Sequence, residues 1–90
     1  MDDKGKKIMP NLTVNIVDYN TNRPVPNAIV TINGTAVVTN NQGQAVFQAA
    51  PDSYSLNITK FNYTPEGRIL TLSNSNQAVT IRLIPRLETL

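Results

Sequence analysis

The chain has 90 residues, enough for one small domain but not for two, with a formal net charge of +2 and neither cysteine nor histidine. Without cysteine an apolar core has to hold the fold unaided. Lacking both residue types, the chain has no Ser-His-Asp or Cys-His arrangement and no usual zinc ligand set.

Val, Ile and Thr make up 26 of the residues, and branching at Cβ favours pleated, half-buried surface over helix. Residues 1–10 form a polar leader in which Lys4, Lys6 and Lys7 supply three of the eight cations. What remains is nearly neutral, so nucleic acid is not an expected partner. Asp2 and Asp3 follow the initial Met, and no apolar segment of signal-peptide type comes after them, so the start reads as an intracellular one. No apolar run of about 18 residues is present to span a membrane.

In chain order, Leu12, Val14 and Ile16 alternate with Thr13, Asn15 and Val17, predicting a first strand with one buried face. Residues 18–27 form a loop, because Asn20, Asn22, Pro24 and Pro26 prevent regular pairing. Ala28, Val30 and Ile32 then point inward, with Ile29 and Thr31 outward. Asn33-Gly34 is a hairpin signal, since both residues tolerate the positive φ of a type I′ turn, so residues 35–39 should pair back on 28–32.

A second turn at 40–43 delivers residues 44–48, with Ala45 and Phe47 facing the core. After a connection at 49–52, Tyr54, Leu56 and Ile58 are the inward residues of a strand reaching about Phe61, which is assigned to the core with Tyr54 and Phe47. A loop at 62–67 contains Pro65. Strands at 68–73 and 77–85 complete the pattern, with Val79, Ile81 and Leu83 inward from the last. Seven short strands separated by turns predict an all-β fold, a seven-stranded antiparallel Greek-key β-sandwich of Ig-like or transthyretin-like type. It should occupy residues 11–85 and leave a tail at 86–90.

Three segments carry a family resemblance: Pro24-Val25-Pro26-Asn27-Ala28-Ile29-Val30, Thr39 to Phe47 with Gly43 and Ala45 inside it, and Pro51-Asp52-Ser53-Tyr54-Ser55-Leu56-Asn57-Ile58 followed by Asn62-Tyr63. In this order the chain resembles the carboxypeptidase regulatory-like domains, a branch of the transthyretin-like, prealbumin-type sandwiches. Asp52 and Asn62 stand where that pattern has glycine, and both are compatible with turns. The resemblance implies a structural or adhesive module without catalytic residues of its own. Pro65-Glu66-Gly67 is similar to part of the collagen-adhesin B-type branch, which closes an isopeptide between a buried Lys and an Asn or Asp. Here Val14, Asn15 and Ile16 stand where that Lys should lie, and the last strand offers only the outward Arg82, so no crosslink is expected.

The six acids are scattered. Asp18 and Asp52 serve most simply as turn caps, Glu66 as a solvated loop acid, and Asp2-Asp3 is the sole adjacent pair, too little for calcium. No catalytic residue, metal or cofactor is expected. Four Asn-x-Thr sequons, at Asn11, Asn33, Asn57 and Asn62, permit glycans on an exposed protein and also arise readily in a chain with 12 Asn. Outward apolar residues Val17, Ile29, Val46 and Ile84 would mark a docking face if they cluster.

The expected role is a non-enzymatic subunit decorating a larger surface assembly, such as a viral capsid or surface filament, with protein partners and a place on a virion or the extracellular surface. Assembly contacts are expected at the termini, through Lys4, Lys6, Lys7, Ile8, Met9, Ile84, Leu87 and Leu90. The alternative is an adhesin-type recognition module, part of a longer surface protein, that binds glycan or peptide through its loops. Of the aromatic residues only Tyr19 and Tyr63 are placed for that, which disfavours sugar.

Overall fold

The computed structural model describes residues 9–86. Among them are seven strands and no helix: β1 (Asn11–Asp18), β2 (Ile29–Ile32), β3 (Thr35–Val38), β4 (Gln44–Gln48), β5 (Ser53–Thr59), β6 (Glu66–Thr71) and β7 (Gln77–Leu83). They build a three-stranded sheet in the order β4-β1-β7 and a four-stranded sheet in the order β3-β2-β5-β6.

Alternation decides which side chains meet between the sheets. Leu12, Val14 and Ile16 of β1, Val30 and Ile32 of β2, Leu56 and Ile58 of β5, and Ile81 and Leu83 of β7 are all buried in one cluster. Removing each such side chain from water contributes about 1.5 to 3 kcal/mol before chain entropy is set against it. Val14 and Ile16 lie fully buried, and between them Asn15 Oδ1 accepts a hydrogen bond from Gln44 Nε2 at 3.2 Å.

The predicted hairpin forms with its expected register, Ile29 opposite Val38 and Ile32 opposite Thr35. Both turn residues have positive φ, 43° at Asn33 and 89° at Gly34. One pairing departs from the all-antiparallel expectation: β1 runs parallel to β7, with Val14 beside Val79 and Ile16 beside Ile81. Hydrophobic alternation is the same in either direction, and strands from the two ends of the chain need no short connection to each other. Because these two strands run together, the chain enters at one pole, near Met9, and leaves β7 at the other, near Asp18 and Leu83. The poles are separated by the length of β1, about 25 Å at 3.3 Å per residue.

Several boundaries also shift. β5 ends at Thr59 rather than near Phe61, β6 begins already at Glu66, and β7 ends at Leu83, leaving Pro85 in an isolated bridge to Tyr63. Glu66 is therefore a half-buried strand residue 3.9 Å from Arg68, not a loop acid. Phe61, expected in the core, is 83% exposed.

Thr39 is the one buried polar residue among those described. Its hydroxyl lies inside the Val25–Ala28 turn, accepting from the Ala28 N–H at 2.9 Å and donating to the Val25 carbonyl at 2.7 Å. Pro26 and Asn27 form the corner, Asn27 at φ 63°, the type II pattern. The Thr39 main chain adds a bond to the Ala28 carbonyl and one from the Asn27 N–H, 2.9 and 3.0 Å long. Close by, the Gly43 carbonyl accepts from the Ile16 N–H at 2.7 Å. Gly43 has φ 73°, and a Cβ there would stand 2.5 Å from the Ile16 carbonyl oxygen. This position admits glycine alone. The Thr and Gly of the second family-like segment are thus the residues that lock the first one in place.

Candidate functional site

At the pole where β7 ends, β5 gives way to a turn over residues 60–63, closed by the Tyr63 N–H to the Lys60 carbonyl at 3.0 Å. Asn62 has φ 72° and Phe61 does not have positive φ, so this too is a type II turn. Inward Leu56 and Ile58 set the phase of β5, which sends residue 61 outward, and the corner of the turn carries the ring away from the sandwich. Phe61, Ile29, Pro65 and Tyr63 line a surface hollow of about 490 Å³ together with Lys60 and Arg86. Val38 stands beside Ile29 in the register of β2 and β3, adding a further exposed aliphatic. No carboxylate among the described residues lines the hollow.

Tyr63 ties this turn to the end of β1. Its hydroxyl donates to Asp18 Oδ2 at 2.8 Å, while Asp18 Oδ1 accepts from the N–H groups of Asn20 and Thr21 at 2.8 and 3.0 Å. The Tyr63 hydroxyl, followed by the Thr21 N–H, holds the Asp18 carboxyl below its ordinary 3.8. Burial, then the bond to Asp18 and its negative charge, raise the phenol above 10.0. Capping by Asp18 agrees with the sequence reading, but the bond to Tyr63 spans 45 positions and no local pattern signals it.

The two proposed loop aromatics therefore lie at one pole with different fates. Tyr19 is 56% exposed, and Tyr63 is half-buried with its hydroxyl engaged. Of the proposed assembly residues, Ile84 is exposed near this pole, where its carbonyl accepts from the Thr64 N–H. Met9 is exposed at the opposite pole, lining a second hollow of about 340 Å³ with Phe47, Ile32 and Tyr54. Lys4, Lys6, Lys7, Ile8, Leu87 and Leu90 lie outside the described residues. The candidate outward apolars do not form one face: Val46 sits beside Thr13 on the three-stranded sheet, whereas Ile29 belongs to the four-stranded one. Phe61, assigned from the sequence to the core, and Val38, not singled out there, complete the patch around Ile29. The odd-numbered phase of residue 61 relative to Leu56 and Ile58 was the available signal.

Chemically the hollow can hold an apolar group and pair with an anion. No cluster of three or more His, Cys, Asp or Glu that could hold a metal occurs among the described residues. Nor is any helix among them long and apolar enough to cross a membrane.

No protein-family model matches the chain, and no curated protein sequence does. Solved structures do match. A membrane-associated protein of unknown function from Bacteroides fragilis is 18% identical with a TM-score of 0.70, over 88% of this chain and 28% of that one. The 5-hydroxyisourate hydrolase of Klebsiella pneumoniae is 21% identical with a TM-score of 0.63, over 86% of both chains. The pilus 2b backbone protein of group B streptococcus is 11% identical with a TM-score of 0.64, over 86% of this chain and 41% of that one. The chain has the transthyretin-like, Ig-like β-sandwich fold that these proteins share. It spans less than half the length of the first and the last of them. At such identities fold is what is held in common, and chemistry is not carried with it.

Proposed function

We propose that this chain is a non-enzymatic interaction module that works by docking to protein partners in a surface assembly. The observation that carries this reading is the patch of Phe61, Ile29 and Val38 left exposed together beside a hollow. The chain also has no histidine or cysteine for nucleophilic chemistry, although the same fold supports a hydrolase in Klebsiella. The pilus backbone neighbour supports an assembly role by analogy of fold. The three family-like segments, with Thr39 and Gly43 in working positions, support placing the chain in the carboxypeptidase regulatory-like branch.

In finer terms, the module decorates a larger particle or filament, on a virion or at the extracellular surface, and its tails add contacts. Their attachment points at opposite poles suit a subunit that meets different neighbours at its two ends. The domain proper is residues 11–85, flanked by the leader and the short tail.

The test is the mass of the native particle, measured after gentle capture of the full chain from its source. Recovery in a complex many times the mass of one chain supports the reading. Recovery as a free monomer overturns it. A second reading, recognition of a peptide or glycan within a longer surface protein, is favoured by two exposed rings, Tyr19 and Phe61, near the same pole. A glycan array separates the two: binding that falls on Tyr19→Ala would favour recognition of sugar.

A further inference from the structure

We infer that the hollow beside Phe61 is a docking site for an acidic segment of a partner protein, one that places an apolar side chain on Ile29 and Phe61 and carboxylates on Lys60 and Arg86. This deepens the interaction-module reading and rests on it.

Part of the lining is apolar: Ile29, Pro65 and the Phe61 ring, with Val38 extending the surface across β2 and β3. Phe61 is the most exposed large apolar residue among those described, at 83%. It is held there by a main-chain turn rather than by loose chain, since Asn62 takes a left-handed conformation and the Tyr63 N–H closes the ring of the turn. Tyr63 is braced in turn by Asp18. An exposed ring on a braced turn is preorganised for contact and loses little conformational freedom on binding.

The charge identifies the occupant. Among the described residues Lys60 and Arg86 line the hollow, and no carboxylate does. Asp18, the nearest acid by bonding, is already engaged by Tyr63 and by two backbone N–H groups, and Glu66 stands beside Arg68. A symmetric contact between two copies through this patch would set Lys60 and Arg86 against their own equivalents, so a second copy docked this way is disfavoured. An acidic partner meets both cations with opposite charge. Nucleic acid fits less well: a strand-binding surface stacks successive bases on several rings along a basic track, and here the lining offers one largely exposed ring, Phe61, beside the aliphatic Ile29 and Pro65. Asn27 and Asn62, also in the lining, supply amides for the main chain of an extended peptide.

The experiment uses the full chain, immobilised, as bait for a random peptide display library, with counter-selection on the double variant Lys60→Glu, Phe61→Ser. Both positions lie on the surface turn, and an unchanged amide spectrum verifies that the variant is folded. The expected result is enrichment of peptides in which Asp or Glu flank a branched aliphatic or aromatic residue. Such a peptide should shift the amides of Ile29 and of residues 59–63, and its affinity should fall at least about tenfold on the double variant. Enriched peptides without acids, equal binding to both baits, or an absence of enrichment overturns the inference. Preferential binding of an oligothymidine at the same amides overturns it in favour of nucleic acid. If the peptides fail while the chain still comes from its source in a large complex, the docking site falls and the assembly role stands.

Discussion

Two turns in this domain share one backbone design and end in opposite environments. In each, an Asn takes a left-handed conformation at the third position, Asn27 with φ 63° and Asn62 with φ 72°. The Val25–Ala28 turn is filled by the Thr39 hydroxyl and buried at both ends. The turn at 60–63 closes on its own main chain and holds Phe61 in water. Turn geometry alone therefore does not say whether a corner serves the core or a partner. What decides is whether a side chain from elsewhere in the chain arrives to fill it.

Breaking the buried turn should produce the largest effects. Gly43→Ala puts a Cβ against the Ile16 carbonyl at an unfavourable φ, and a loss of about 3 to 5 kcal/mol is expected in denaturant titration. A similar loss is expected for Phe47→Ala, from the cavity beneath β1 and β4. Thr39→Val keeps the shape but strands the Ala28 N–H and the Val25 carbonyl, for about 2 to 4 kcal/mol. Thr39→Ser keeps the hydroxyl and should recover most of that. A serine variant as unstable as the valine one would mean that the methyl group counts as much as the hydroxyl.

The facing of most strands, the hairpin register and most of the core were legible because period-two alternation and Asn-Gly act locally. Alternation is blind to strand direction, which is why the parallel pairing of β1 and β7 could not be read from it. It does carry phase, and applied beyond Ile58 it would have sent Phe61 outward; aromatic character pulled the assignment into the core instead. The pair Asp18 and Tyr63, and the service of Thr39 to a turn far back in the chain, depend on tertiary contact and leave no mark in neighbouring residues. The tail residues proposed as contacts lie mostly outside the described structure, and the candidate site joins Ile29 and Tyr63, both named from the sequence, to Phe61 and Lys60, which were not read as contacts.

A smaller effect sharpens the comparison at the exposed turn. The Asp18 to Tyr63 bond needs an ionised carboxyl and a protonated phenol. Asp18 is lowered from 3.8, so its contribution is present above that value and is lost as pH falls through the folded one. Tyr63 is raised from 10.0, so its contribution is present below that value and is lost as pH rises through the folded one. Tyr63→Phe should therefore be less stable than the parent between these limits, with the difference shrinking beyond either. A difference constant across the whole range would show that the bond adds nothing. Smallest of all, Phe61→Ser should change stability by less than about 0.5 kcal/mol, as surface substitutions do.

Native-state amide exchange reads both turns in one spectrum. The Ala28 and Thr39 N–H groups, bonded to the Thr39 hydroxyl and the Ala28 carbonyl, should exchange only through global unfolding. Phe61 and Asn62 should exchange at nearly the rate of an unstructured chain. Strong protection at Phe61, or ready exchange at Ala28 and Thr39, would contradict the division between a turn kept for the fold and a turn kept for a partner.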